Sequence, residues 1–127
     1  MKMILSLATL SLAALPAVAS AAPQAMTHEI GYERGALGYN AMKNGKTGLA
    51  ERQILSDTTV AADDPAKLIN LGTIYANTNR SSLAKQAFER VLSEKDVDLV
   101  LSDGTERGSH AIAREGLRQV ERKDASR

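Results

Sequence analysis

An internal echo at a spacing of 34 residues restricts this chain more than any other feature of its sequence. Displaced by that distance, Leu37 falls on Leu71, Gly38 on Gly72, Leu49 on Leu83 and Ala50 on Ala84, while Ile54 meets Phe88. The polar pair Thr47-Gly48 meets Ser81-Ser82. Ala, Leu, Lys, Arg, Glu and Gln are abundant, and no sustained period-two run of β-branched residues appears. A repeat of this kind implies stacked helical hairpins.

Each copy divides into two amphipathic helices. In the second, Asp64 is a good N-cap and Pro65 suits the first helical turn. Leu68, Leu71, Gly72 and Tyr75 follow at helical spacing, residues 77–80 form a turn, and Leu83, Ala84, Ala87, Phe88 and Val91 make the next apolar stripe. The first copy is expected to run as helix over about 29–44, turn over 45–48, and continue over about 49–58. Small residues at Gly38 and Ala50, and again at Gly72 and Ala84, suit the close approach of two antiparallel helices.

Leu71-Gly72-x-x-Tyr75 followed by Ala84 and Phe88 resembles the tetratricopeptide repeat, a 34-residue helix–turn–helix unit. Residues 65–98 match this pattern well. Residues 31–64 match it less closely, with Ala41 at the place of the tyrosine and Asp57 at that of a small residue. A third copy fails from Leu99 onward: Thr105, Glu106 and Ser109 stand where Leu, Gly and Tyr are wanted. Residues 97–102 therefore read as a connector with its apolar cluster tucked under the array. A capping helix is expected over about 105–121, opened by Asp103-x-x-Glu106 as a capping box. The expected fold is all-α: two repeats and a capping helix within a domain of residues 29–122, preceded by a flexible segment at 22–28 and followed by a disordered tail at 123–127.

The start of the chain reads as an address. Lys2, an apolar run over 4–15, Pro16, and small residues that twice fit a small-x-small cleavage rule make residues 1–21 a secretory signal peptide. The run is shorter than the roughly 20 apolar residues of a membrane span, so no stable membrane anchor is expected. Removal of residues 1–21 takes 127 residues to 106 and the 16 basic residues to 15, equal to the 15 acidic ones. A neutral chain excludes the electrostatic footprint of nucleic-acid binding. With no cysteine, thiolate catalysis, disulfides and Cys-ligated metals are excluded as well. The protein is expected to be exported, to the periplasm or to the medium.

Catalytic patterns are weak. His28 and His110 lie 82 residues apart without metal-ligand spacing, and no nucleophile elbow, phosphate loop or dinucleotide fingerprint is present. No cofactor, metal or catalytic residue is expected. What the tetratricopeptide resemblance implies is a groove for a protein or peptide, lined by the first helix of each repeat. Carried over by alignment, its floor comprises Tyr32, Gly35, Tyr39, Met42 and Lys43 from the first copy. The second contributes Ala66, Ile69, Asn70, Thr73, Ala76 and Asn77. The alternative is that some of these residues pack against the N-terminal tail or a second subunit. Gly35 and Tyr39 stand where relatives that clamp a carboxylate tail carry Lys and Asn, which argues against chaperone-tail capture. The functional expectation is a non-catalytic interaction module. A self-associating envelope scaffold, a homo-oligomer, is the second reading, and a small envelope enzyme the third.

Overall fold

The computed structural model describes residues 26–127; the expected leader and residues 22–25 lie outside the described residues. The chain is mainly helical, in the order α1 (Tyr39–Lys43), α2 (Thr47–Ser56), α3 (Pro65–Asn77), α4 (Ser81–Ser93), β1 (Asp98–Val100), β2 (Glu106–Gly108) and α5 (Ser109–Ala125). Among the described residues no helix is long and apolar enough to cross a membrane.

The central hairpin of α3 and α4 follows its local signals. The Asp64 carboxylate accepts a hydrogen bond from the Lys67 amide at 3.1 Å, with Pro65 opening the helix. At the far end Asn79 adopts a left-handed φ of 61°, and the amides of Asn79 and Arg80 return to the carbonyls of Ala76 and Tyr75. This closure satisfies carbonyls that a helix end otherwise leaves open. The same pattern closes α1, where Gly45 is left-handed and Gly45 and Lys46 donate to Met42 and Ala41.

Phe88 organises the core. A Cβ placed on Gly72 of α3 would lie 2.7 Å from the Phe88 ring, and one on Gly116 of α5 would lie 2.5 Å from it. The ring thus fills the space that two glycines leave open, and α3 and α5 both pack closely on α4. Around it lie Ala84, Val91, Ile112, Ala113 and Val120, with Leu37, Leu99 and Leu101 closing the same cluster. A second cluster of Ala41, Met42, Ala50, Ile54, Leu71 and Ile74 joins α1 and α2 to α3, and Tyr75 packs against both clusters. The Arg80 guanidinium sits 4.6 Å from the Tyr75 ring centre and grips the Glu51 carboxylate with two bonds of 2.7 Å, linking α2 to the α3–α4 turn.

Four sequence expectations need correction. The first helix, expected over 29–44, is confined to α1. Residues 30–37 form turns instead, because Gly35 and Gly38 hold φ of 90° and 64°, which a helix does not permit. The Glu29 side chain stabilises this path by accepting from the amides of Gly35 and Tyr39.

The expected connector at 97–102 and the expected start of the capping helix at about 105 instead contribute to a β-hairpin of β1 and β2. The Asp103 carboxylate accepts from the Thr105 amide and hydroxyl within its turn, and Gly104 is left-handed, so Asp103 caps no helix. Helix α5 begins instead at Ser109. It is capped from outside by Asp96, which accepts from the His110 amide at 3.0 Å and the Ser109 hydroxyl at 3.1 Å. Those bonds, the one from His110 first, hold the Asp96 carboxyl below its usual range.

The segment expected to be flexible up to residue 28 is paired from Met26. Thr27 bridges to Leu101, the His28 amide donates to Val100, and the Ser102 amide donates to Met26. The tail expected to be disordered from residue 123 continues α5. Asp124 holds it in place by accepting from Ser81 and Lys85 at 2.6 and 2.9 Å, while Lys123 donates to the Ala76 carbonyl.

Two predictions follow from this packing. Gly116→Ala forces a methyl group into the Phe88 ring and lowers the unfolding free energy by about 1–3 kcal/mol, the usual range for overpacking. Phe88→Leu in the same chain relieves the clash, so a denaturant double-mutant cycle gives a coupling term that offsets part of the loss. On the outer face of α5, Glu115 accepts from Arg118, Gln119 and Arg122, and these bonds bring its carboxyl down from 4.5 to about 2. Because the folded value is the lower one, its contribution to stability is complete above 4.5 and vanishes as pH falls through about 2. A carboxyl NMR titration is expected to place Glu115 near 2, and Arg118→Ala to move it upward.

Candidate interaction groove

The inward face of α3 carries Ala66, Ile69, Asn70 and Thr73, and it is already covered. Ile69 and Asn70 have no exposed surface, and Thr73 is buried with its hydroxyl donating to the Ile69 carbonyl. The cover is the chain's own segment leading into α1. Asn70 holds it at two points: its Oδ1 accepts from the Thr27 amide at 3.0 Å, and its Nδ2 donates to the Leu37 carbonyl at 2.9 Å. A buried backbone group without a partner costs about 1–3 kcal/mol, so one side chain here satisfies two groups ten residues apart in sequence.

The remaining expected groove residues divide by depth. Tyr39 is buried, its ring 4.8 Å from that of His28 at an angle of 45°. Met42 is buried in the second core cluster, against which Met26 also packs. These two, with Ile69, Asn70 and Thr73, are walls of the interior and not an open floor, because residues 26–38 occupy the space in front of them. Lys43 and Asn77 are exposed. Tyr32 is half-buried, and its hydroxyl donates to the Asp64 carboxylate at 3.1 Å. Burial first, and then the Asp64 charge and hydrogen bond, raise the Tyr32 phenol to about 12.

Two hollows remain on this side of the molecule, and Tyr32 is a wall of both. One, about 160 Å³, lies among Thr27, His28, Ile30, Asp98 and Val100; the other, more open and about 340 Å³, lies among Gly31, Glu33, Thr59, Val60 and Asp64. Ile30, 62% exposed, is the most exposed large apolar side chain of the described residues and stands at the rim. Its setting is a shallow cleft with an apolar lip and the carboxylates of Asp98, Glu33 and Asp64 at its edges.

The histidines do not form a joint site. His28 lines the smaller hollow, whereas the His110 ring lies 2.8 Å from the Glu94 carbonyl. Ser109, its neighbour in sequence, is fully buried, donates to Asp96 and accepts from the Val97 amide, so its hydroxyl serves as a cap and does not face an imidazole. Among the described residues no group of three or more His, Asp or Glu is arranged to hold a metal ion.

The sequence reading missed Thr27 and the strand it belongs to. The available signals were the alternation of Val97, Leu99 and Leu101 and the turn pair Asp103-Gly104, which mark a hairpin against which a further strand can lie. Comparison with protein-family models, with curated proteins and with solved structures yields no match.

Asn70 is accordingly expected to dominate the stability of this side. Asn70→Ala strands the Thr27 amide and the Leu37 carbonyl and is expected to cost about 2–4 kcal/mol in urea unfolding, two unsatisfied groups at the usual penalty. Asn70→Asp keeps the acceptor for Thr27 but at neutral pH sets a buried carboxylate against the Leu37 carbonyl, so it should destabilise at least as much as alanine and recover in part as pH falls and the carboxyl takes up a proton.

Proposed function

We propose that this chain is a non-catalytic interaction module of tetratricopeptide type, exported to the periplasm or beyond, whose groove side engages a polypeptide. The observation that carries the reading is the accessible cleft around Tyr32, with Ile30 exposed at its lip, beside a helix face on which Asn70 already holds a main-chain segment. An asparagine on the inward face of a helix, holding main-chain groups and not side chains, suits recognition of a polypeptide whatever its sequence.

The repeat reading has structural support of its own. The left-handed closures at Gly45 and Asn79 stand 34 residues apart and use equivalent amides and carbonyls. Gly38 and Gly72, also 34 apart, both mark close approaches, since a Cβ on Gly38 would lie 3.0 Å from the Ala50 carbonyl oxygen. Gly116 likewise leaves room for the Phe88 ring.

The accessible part of the groove side is the cleft around Tyr32, with Ile30 at its lip. Crosslinking capture from an envelope extract, using the mature protein as bait, tests the assignment. Ile30→Glu with Val60→Glu, which alters the lip and leaves the Asn70 bonds in place, is expected to lose a specific captured protein at least tenfold. Arg114→Glu, an exposed site on α5, is expected to retain it. Equal capture by all three proteins refutes the groove assignment. A melting temperature that rises with protein concentration favours the self-associating scaffold instead.

A further inference from the structure

The place beside residues 100–102, at the end of β1, that is filled by the extended segment 26–28 is a short socket, and its present occupant fits it imperfectly. Three main-chain connections seat the occupant: the Thr27 amide on Asn70, the His28 amide on the Val100 carbonyl, and the Ser102 amide on the Met26 carbonyl. None of the three depends on the identity of a side chain in the seated strand. Two side-chain atoms of that strand are nevertheless buried without a hydrogen-bond partner among the described residues, the Thr27 hydroxyl and His28 Nδ1. Thr27 is 1% exposed, so its hydroxyl is withdrawn from solvent with no partner among the described residues. Valine has the same shape without that penalty. Beyond the strand the chain turns away at Gly31, which is left-handed, and no atom outside its immediate neighbours lies within 4 Å of a Cβ placed there.

We propose that the seated segment is a displaceable strap, and that the socket accepts an extended partner segment in antiparallel register on residues 100–102. The preferred segment carries an aliphatic β-branched residue, valine or isoleucine, at the Thr27 place and an apolar residue at the Met26 place. Such a segment takes over the same three main-chain bonds and removes the unpaired hydroxyl. The strap therefore acts as a competitor within the same chain: the apparent affinity for a partner is reduced by the fraction of molecules whose socket is open. This inference rests on the interaction-module reading and specifies the chemistry of its partner.

The absence of cysteine permits a direct test. The bonds from His28 and Ser102 flank the Thr27–Leu101 bridge, which makes Thr27 and Leu101 a non-hydrogen-bonded antiparallel pair. Such pairs have Cα atoms about 4.5 Å apart, within the span of a disulfide. In the mature chain, Thr27→Cys with Leu101→Cys locks the strap when oxidised and frees it when reduced. The probe is a fluorescent synthetic peptide of residues 26–32 carrying Thr27→Val, followed by anisotropy, with circular dichroism on each sample to verify the fold.

The expected result is saturable binding to wild type and to the reduced variant, and at least a tenfold loss on oxidation that reduction reverses. Thr27→Val in the protein itself should weaken peptide binding about tenfold, the equivalent of roughly 1.4 kcal/mol, by tightening the strap. Equal binding by the oxidised and reduced forms overturns the proposal, as does absence of binding to the folded wild type. Disulfides formed between chains would show that the socket exchanges straps between copies, and that outcome also overturns it. If the oxidised variant still captures the partner found with wild type while failing to respond to the peptide, the module reading stands and the strap mechanism falls.

Discussion

The close contact of Phe88 with two glycines is the constraint from which the rest of this structure follows. An aromatic ring on α4 can pack against the backbones of both neighbouring helices only if neither presents a side chain at the contact. Gly72 and Gly116 meet that condition from opposite elements. The chain has one phenylalanine and no tryptophan, so little other bulk is available to fix helix spacing. Alanines at 84 and 113 and the larger Ile112, Val91 and Val120 share the buried cluster to which the ring belongs. Small residues near one large one give a core with little tolerance for added volume.

The groove side obeys a different rule, that of polar satisfaction. Helix α3 brings Asn70 to a face that its neighbours leave open, and the chain closes that face with its own N-terminal stretch, held by backbone bonds. Met26 and Leu37 add apolar cover at its two ends, one in each core cluster. The hairpin of β1 and β2 supplies the edge on which this stretch rests. What remains open is a small cleft whose walls are Tyr32, the turn before α1 and the loop before α3. A chain of this size thus spends most of this face on its own stability, in keeping with the difficulty that short chains have in burying a sufficient core.

How much of this was legible residue by residue depended on whether the signal was local. Asp64 and Pro65 announced α3, and the stripe from Leu83 to Val91 announced α4, because caps and helical spacing act within a few residues. The truncation of the first helix was written in Gly35 and Gly38, yet glycine also marks close helix packing, and only the observed backbone separates the two meanings. Gly38 serves both. Asp103 was compatible with a helix cap and with a tight turn; Gly104 after it decided for the turn. The expected groove residues were assigned to the right face of α3, but their depth was not legible, since Asn70 is polar and its burial requires partners at residues 27 and 37.

The sequence by itself determined the helical character, the period of 34, the caps of the central hairpin and the small residues at the helix contacts, all of which are properties of single residues or of short spacings. The tertiary structure alone decided that residues 26–28 pair with residues 100–102, that Asp96 caps α5 from across a hairpin, and that Asn70 is interior. Each of these depends on bonds between residues remote in sequence, and a polar side chain carries no local mark of whether its partner will be water or the backbone of its own chain.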